Sequence, residues 1–359
     1  MGWNILLWFS IAAVLIVIFG FILLIIKKNN RQLENGFAIN FMSSGLALIV
    51  DSFGTFSDKL LALINKSQPS NNYVQLVTGA VLIAIGFWMK RYIKKKISIL
   101  NMLGVKERRI EEHSDNIGLN PFEFKEHEID LSLYAKKEMN QERYDDATEL
   151  IKYKVDSFRS ENKDLVKGYT GTAPIPLTLY AGYCFKGGPI TKFYEYNRFE
   201  GKYNTLKKAK RWYGKNKKYP TLKLTQALDD LDLQRQEEVV LGVSLTMPIT
   251  TEQVRQFNGV FIHLSLDEPR QNVIEYVEQL NEYVKVIFDT LMKIGQHSGI
   301  KRIHLVISSQ SCLVFELGKQ LTTETYMKEI INYHFVNNAE PNYVWGLAFN
   351  NQGAKFVKC

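Results

Sequence analysis

The sequence predicts an α/β protein in two parts: a transmembrane helical hairpin, then a domain built from two similar α/β halves. Three observations carry that expectation. A charge-free apolar run, 5–26, opens the chain, and a second candidate span, 73–93, is charge-free from Tyr73 to Met89 and ends in a dense basic flank. Beyond Lys163 short apolar runs alternate with helical patterns, as in sheets covered by helices. Within that alternation one unit, strand then hydroxyl-rich turn then helix then strand, occurs twice.

The first run, ILLWFSIAAVLIVIFGFILLII, holds twenty-two residues. At about 1.5 Å per residue it is long enough to cross roughly 30 Å of hydrocarbon. Lys27 and Lys28 follow it and no small-residue cleavage site does, which distinguishes it from a signal peptide. In the second run Trp88 and Tyr92 stand where interfacial aromatics belong. Its flank of Lys90, Arg91, Lys94, Lys95 and Lys96 puts everything after it in the cytoplasm. That topology leaves Lys27, Lys28 and Arg31 on the outer side. Between the runs, 37–66 is apolar but broken by Asp51, Asp58 and Lys59. There Leu60, Leu61, Leu63 and Ile64 predict an interfacial amphipathic helix rather than a third span.

Residues 97–126 are rich in charge and read as a linker with a short helix, and 131–160 carries helical spacing. This gives a hairpin region 1–96, a linker and helix 97–163, and the α/β domain 164–359. In that domain the predicted strands are 165–170, 190–196, 239–247, 259–266, 302–307, 329–336 and 343–349. A long helix is predicted over 269–296, from the apolar stripe Val273, Val277, Leu280, Val284, Ile287, Leu291 and Ile294, with Pro269 at its start.

The repeat is read from TAPIPLTLYAG (172–182) and SSQSCLVFELG (308–318). In each, a hydroxyl residue stands ten positions before a glycine, with an apolar helical pattern between. Two such halves packed about a pseudo-twofold axis bring both turns to one crevice, and free N–H groups at helix starts attract phosphate. The same serines and threonines serve equally as ordinary helix caps.

Those segments, with FYEYNRFEGKY in the first half and RIHLVISSQSCLVFELG and NYVWGLAF in the second, resemble the SAVED domain of bacterial CBASS anti-phage systems. That resemblance implies two fused CARF-like (Rossmann-type) halves that sense a cyclic di- or trinucleotide made by a nucleotidyltransferase. With the hairpin in front, the chain resembles a two-transmembrane SAVED effector of the inner membrane, whose ligand drives self-assembly and bilayer damage. The second-half turn is Ser308-Ser309-Gln310-Ser311 where the family has a proline-type turn, and Tyr196-Asn197 stands where acidic residues are common.

The candidate ligand contacts follow. Thr172, Ala173, Ser308, Ser309, Gln310 and Ser311 offer hydroxyl, amide and backbone N–H groups. Tyr194, Tyr333 and Trp345 are candidates for stacking on bases, or else core aromatics. Arg198 and Lys202 reach phosphate or sit on a solvated edge. The stretch 202–223 has nine basic residues and no acid, and suits a ligand, a neighbouring protomer, headgroups or plain solvent.

Catalytic signatures are missing. GxGxxG, Walker A, HExxH and CxxC do not occur, and the six histidines lack metal-ligand spacing. Asp115 with Glu123-Phe124-Lys125 mimics a nuclease signature in a segment too short to house that domain. Cys184, Cys312 and Cys359, odd in number and far apart, exclude a disulfide framework. The net charge of +8 fits an anionic surface, a nucleotide or a nucleic acid alike. The expectation is therefore a non-enzymatic effector without metal or cofactor. A CARF-like ring nuclease and a membrane-tethered nucleic-acid-binding regulator are the alternatives.

Overall fold

The computed structural model describes residues 31–52, 73–93, 97–104, 109–119, 124–136, 138–161, 165–186, 188–208, 219–321 and 328–359. The chain divides into two compact units, 1–96 with 120–124, and 97–119 with 125–359.

The first unit holds α1 (Arg31–Ser52) and α2 (Tyr73–Ile93). They lie antiparallel along a seam of small residues. A Cβ placed on Gly45 or on Gly79 would stand 2.6 Å from the other's carbonyl oxygen, and one on Gly86 would stand 2.9 Å from that of Ala38. Only glycine lets two backbones approach so closely. Met42, Ile49 and Ile83 lie against the seam glycines, while Ile39, Leu46, Val50, Val77, Val81, Phe87 and Trp88 are exposed. The segment predicted as the second span forms α2, and 37–52 of the predicted interfacial segment belongs to α1, which packs on it. The predicted span 5–26, the flank 94–96 and Leu60 to Ile64 lie outside the described residues. Among the described residues no helix is long and apolar enough to cross a membrane.

The second unit contains two sheets of matching order. The first runs β2-β1-β3-β4-β5, from β1 (Ile97–Leu103), β2 (Phe124–Asp130), β3 (Val166–Gly171), β4 (Lys192–Asn197) and β5 (Lys202–Thr205). The second runs β12-β11-β10-β9-β7-β8-β6. Its strands are β6 (Lys223–Leu224), β7 (Glu238–Ser244), β8 (Val260–Ser265), β9 (Arg302–Ser308), β10 (Glu329–Phe335), β11 (Tyr343–Asn350) and β12 (Gly353–Lys358). The series β8-β7-β9-β10-β11 repeats β2-β1-β3-β4-β5. In each, the three central strands are parallel and the strand after them returns antiparallel. The duplication expected from the sequence is thus realised.

Its boundary differs, however. Residues 97–163 are not a linker with one helix; they supply β1, β2, α3 (Ser132–Lys136) and α4 (Gln141–Ser160) of the first half. β1 pairs in parallel with β3, Ile97 opposite Val166, and is buried from Ser98 onward. A strand covered on both faces has no alternation to read, and this one follows a lysine cluster that disguises it. The predicted helix 131–160 is divided where Asn140 accepts a hydrogen bond from the Arg143 N–H (2.9 Å) and starts α4.

Both repeat helices, α5 (Ile175–Phe185) and α7 (Ser311–Gln320), lie in one core between the sheets. They cross at the two glycines of the repeat. A Cβ on Gly182 would stand 2.1 Å from the carbonyl oxygen of Phe315, and one on Gly318 would stand 2.2 Å from that of Leu179. Each glycine meets the residue three before its counterpart, so the crossing is reciprocal, as a pseudo-twofold axis requires. Beside it Tyr169 stacks on Phe315 at 4.2 Å.

The long helix α6 (Val277–Gly295) begins eight residues later than the sequence suggests. Buried Gln279 fixes the start: its side-chain oxygen accepts the Glu275 N–H (2.9 Å) and its amide donates to the Val273 carbonyl (2.9 Å). The stretch 269–276 therefore remains a loop, and it becomes one wall of the site.

A candidate ligand cavity at the seam of the two halves

A cavity of about 600 Å³ lies where the first half meets the second. On one side stand the end of β4, its turn and β5, through Glu195, Asn197, Phe199, Asn204 and Lys207. On the other stand Arg270, Asn272 and Glu275 of the loop before α6, with Gln310 ahead of α7. Backbone hydrogen bonds close the seam beneath, from Lys207 N–H to the Glu275 carbonyl (2.8 Å) and from Val277 N–H to the Lys207 carbonyl (3.0 Å). The side chain of Gln310 clamps the loop by accepting from the Ile274 N–H (2.7 Å) and donating to the Ile274 carbonyl (3.2 Å).

Glu195 is the electrostatic centre. It sits at the start of α7 and accepts the backbone N–H of Cys312 at 2.8 Å. Burial pushes its carboxyl up to about 7, against the hydrogen bonds from Cys312 and Ser311 that favour the charged form. The first half thus places its own carboxylate on the helix start where the sequence placed a phosphate.

The two turns do converge, but the crevice between them is filled. A Cβ on Gly171 would meet the Ser311 hydroxyl at 2.7 Å, and that hydroxyl is bonded to Tyr169 at 2.6 Å. Thr172 accepts from the Gly104 N–H (3.0 Å). Ser308 accepts from the Met247 N–H (3.0 Å) and pairs with Thr246 (3.0 Å), while the Ser309 hydroxyl donates to the Gln310 carbonyl (3.3 Å). Neither helix is capped by a turn hydroxyl: their caps are Pro174 and Gln310, without side-chain cap bonds. Of the predicted turn residues Gln310 lines the cavity; Thr172, Ala173, Ser308, Ser309 and Ser311 do not.

Three predicted stacking residues are core instead. Tyr194, Tyr333 and Trp345 are 2%, 3% and 5% exposed, which leaves no face for a base. Tyr333 is bonded to His304 Nδ1 (2.7 Å), and Trp345 packs on His334 and Phe356. A side chain on a mostly buried sheet face has this fate by default. Arg198 and Lys202 are exposed in and after the β4–β5 turn, and Lys202 pairs with Glu200 at 2.7 Å. The basic stretch is described at 202–208 and 219–223; its centre, with Trp212 and Tyr213, lies outside the described residues.

Sequence reasoning missed Glu195, Asn197, Phe199, Arg270 and Asn272, and reached Asn204 and Lys207 only as part of the basic stretch 202–223. A signal existed for two of them: NRFEG is a turn sequence between two strand runs. Arg270 and Asn272 were hidden inside the overlong helix. Among the described residues no cluster of His, Cys, Asp or Glu could hold a metal ion. Cys184 and Cys312 are buried and Cys359 is exposed, all unpaired.

Residues 151–349 match the family model of the SMODS-associated and fused to various effectors sensor domain, SAVED. No curated protein matches the chain. Similar solved structures include the Acinetobacter baumannii Cap4 SAVED/CARF-domain containing receptor with the cyclic trinucleotide 2'3'3'-cAAA. It is 13% identical, with a TM-score of 0.47, over 74% of this chain and 55% of that one. The Moraxella osloensis Cap4 receptor is 14% identical, with a TM-score of 0.42, over 73% of this chain and 52% of that one. The chain thus spans about half the length of the receptors it matches.

Proposed function

The chain belongs to the SAVED family, and from that premise we propose that it is a CBASS effector that takes a cyclic oligonucleotide into the cavity between its halves. One observation carries this reading: the cavity opens at the junction of the duplicated units, with amides and two cations on facing walls. Exposed Asn204 and half-buried Asn272 offer the paired donors and acceptors that read base edges, Asn197 and Gln310 hold the turn and the loop that form the walls, and Lys207 and Arg270 would meet phosphate. A ligand held from both sides would fix one half against the other and favour the assembled state. The receptor from Acinetobacter baumannii, with structures holding the cyclic trinucleotides 2'3'3'-cAAA and 3'3'3'-cAAA, supplies the ligand class to try first.

The test is native mass spectrometry of the full chain against a panel of cyclic di- and trinucleotides. A bound, intact nucleotide and a shift to larger oligomers are expected, with both reduced in Arg270→Ala. Cleaved nucleotide would favour the ring-nuclease alternative, and no binding to any member would overturn the reading.

The same proposal makes the first unit a lipid-facing anchor in the bacterial inner membrane, with the sensor in the cytoplasm. Its support is the glycine seam of α1 and α2 with bulky apolar groups turned outward, the packing polarity of membrane helices. Ligand-driven clustering of such anchors would damage the bilayer. Flotation with liposomes tests the anchor; a chain left entirely in the unbound fraction would remove it.

A further inference from the structure

The rim of the cavity carries one aromatic ring with no cover. We propose that Phe199 stacks on a purine of the bound nucleotide and sets the cavity's preference for purines over pyrimidines; this rests on the cavity being the nucleotide site.

The ring is 83% exposed although the turn that presents it is held from several sides. Asn197, itself buried, accepts the N–H groups of Phe199 (3.0 Å) and Glu200 (3.3 Å). Gly201 adopts φ +64, the left-handed conformation that lets the chain return into β5. The ion pair of Glu200 with Lys202 spans the end of the turn at 2.7 Å. Of the other aromatics on this hairpin, Phe193, Tyr194 and Tyr203 are each 2% exposed or less and Tyr196 is half-buried. Single exposed apolar side chains occur elsewhere on the surface; what distinguishes Phe199 is that a fixed turn holds its ring against the cavity that it lines. Its neighbours suit a nucleotide, with Asn204 and Asn272 for a base edge and Lys207 and Arg270 for phosphate. An aromatic face adds affinity for any base, more for the larger purine ring system.

The experiment titrates the full chain with cyclic diadenylate, cyclic triadenylate and cyclic triuridylate, comparing wild type, Phe199→Ala and Phe199→Trp. We expect an adenine ring to bind wild type, Phe199→Ala to weaken it about tenfold or more, and Phe199→Trp to restore it. The adenine-over-uracil preference should shrink in Phe199→Ala, and the ligand-free melting temperature should stay within about 1 °C because the side chain is exposed. If wild type binds none of the three, the site reading and this inference fall together. If wild type binds and Phe199→Ala keeps both affinity and preference, only this inference is overturned.

Discussion

The two halves of the second unit share a strand order and meet at matching glycines, yet their equivalent turns are wired differently. Counting back from Gly182 and Gly318, Thr172 corresponds to Ser308 and Pro174 to Gln310. In the first half the turn is tied to backbone: Thr172 accepts from Gly104 and donates its N–H to the Met102 carbonyl (2.8 Å), and Pro174 bonds to nothing through its side chain. In the second half side chains make the ties, with Glu195 of the first half reaching in to Cys312 and Gln310 of the turn reaching out to Ile274. Duplication preserved the packing frame and left the chemistry to diverge. The asymmetric side is the one that opens into a cavity.

The largest expected effect falls on what the halves share. Gly318→Val or Gly182→Val drives a branched side chain into a backbone carbonyl little more than 2 Å away. Either should destabilise the second unit by about 3 kcal/mol or more, read as a loss of cooperative chemical unfolding at the wild-type midpoint. Equal damage from both would confirm that the crossing is reciprocal; a tolerated substitution at one glycine would break the symmetry.

Next comes the carboxylate that only the second turn receives. Glu195 has its folded value raised to about 7 from an ordinary 4.5, mainly by burial. The folded state therefore holds its proton more tightly than the unfolded chain. Its contribution is fully present below about pH 4.5 and is lost as pH rises towards 7. The change is roughly 3 kcal/mol at 1.36 kcal/mol per unit. Glu195→Gln should remove that slope while keeping an acceptor for Cys312. A contrast within the first half is Glu161. Burial works against its charged form, but hydrogen bonds from Lys125, Ser98 and His127 prevail and hold it down to about 2. Its contribution is present above about pH 4.5 and is lost as pH falls towards 2, so Glu161→Gln should flatten the acid limb instead. Unfolding followed from pH 3 to 8 separates the two.

How much of this was legible follows the same division. The repeat could be read because the hydroxyl-to-glycine spacing is a packing requirement, and packing leaves a pattern in the chain. Strands β3, β4 and β7 to β11 could be read for the same reason. β1 could not, since a strand buried on both faces after a lysine cluster looks like neither alternation nor a helix. The site was mostly illegible. Ser311 and Thr172 are natural caps by residue type, but Tyr169 and Gly104, distant in sequence, claim their hydroxyls. Pro269 resembled a helix start, and the buried side chain of Gln279 moved that start to Val277. Glu195 looked like one more residue of an edge hairpin, and only the fold brings it to α7.

Smaller effects test the turns themselves. Gln310→Ala leaves the buried Ile274 N–H without its acceptor and should cost about 2 kcal/mol, whereas Thr172→Ala, at a half-buried site, should cost about 1 kcal/mol or less. Thermal melts of the two variants side by side decide whether the second turn carries more than the first. Lys202→Ala removes an exposed ion pair and should change stability by less than about 0.5 kcal/mol.

The most direct test is photoaffinity mapping with a cyclic triadenylate carrying an azido group on one adenine, followed by peptide sequencing of the labelled full chain. The account predicts label on peptides covering 195–207 and 270–275, displaced by unlabelled nucleotide. Displaceable label confined to residues outside the seam between the halves would contradict it.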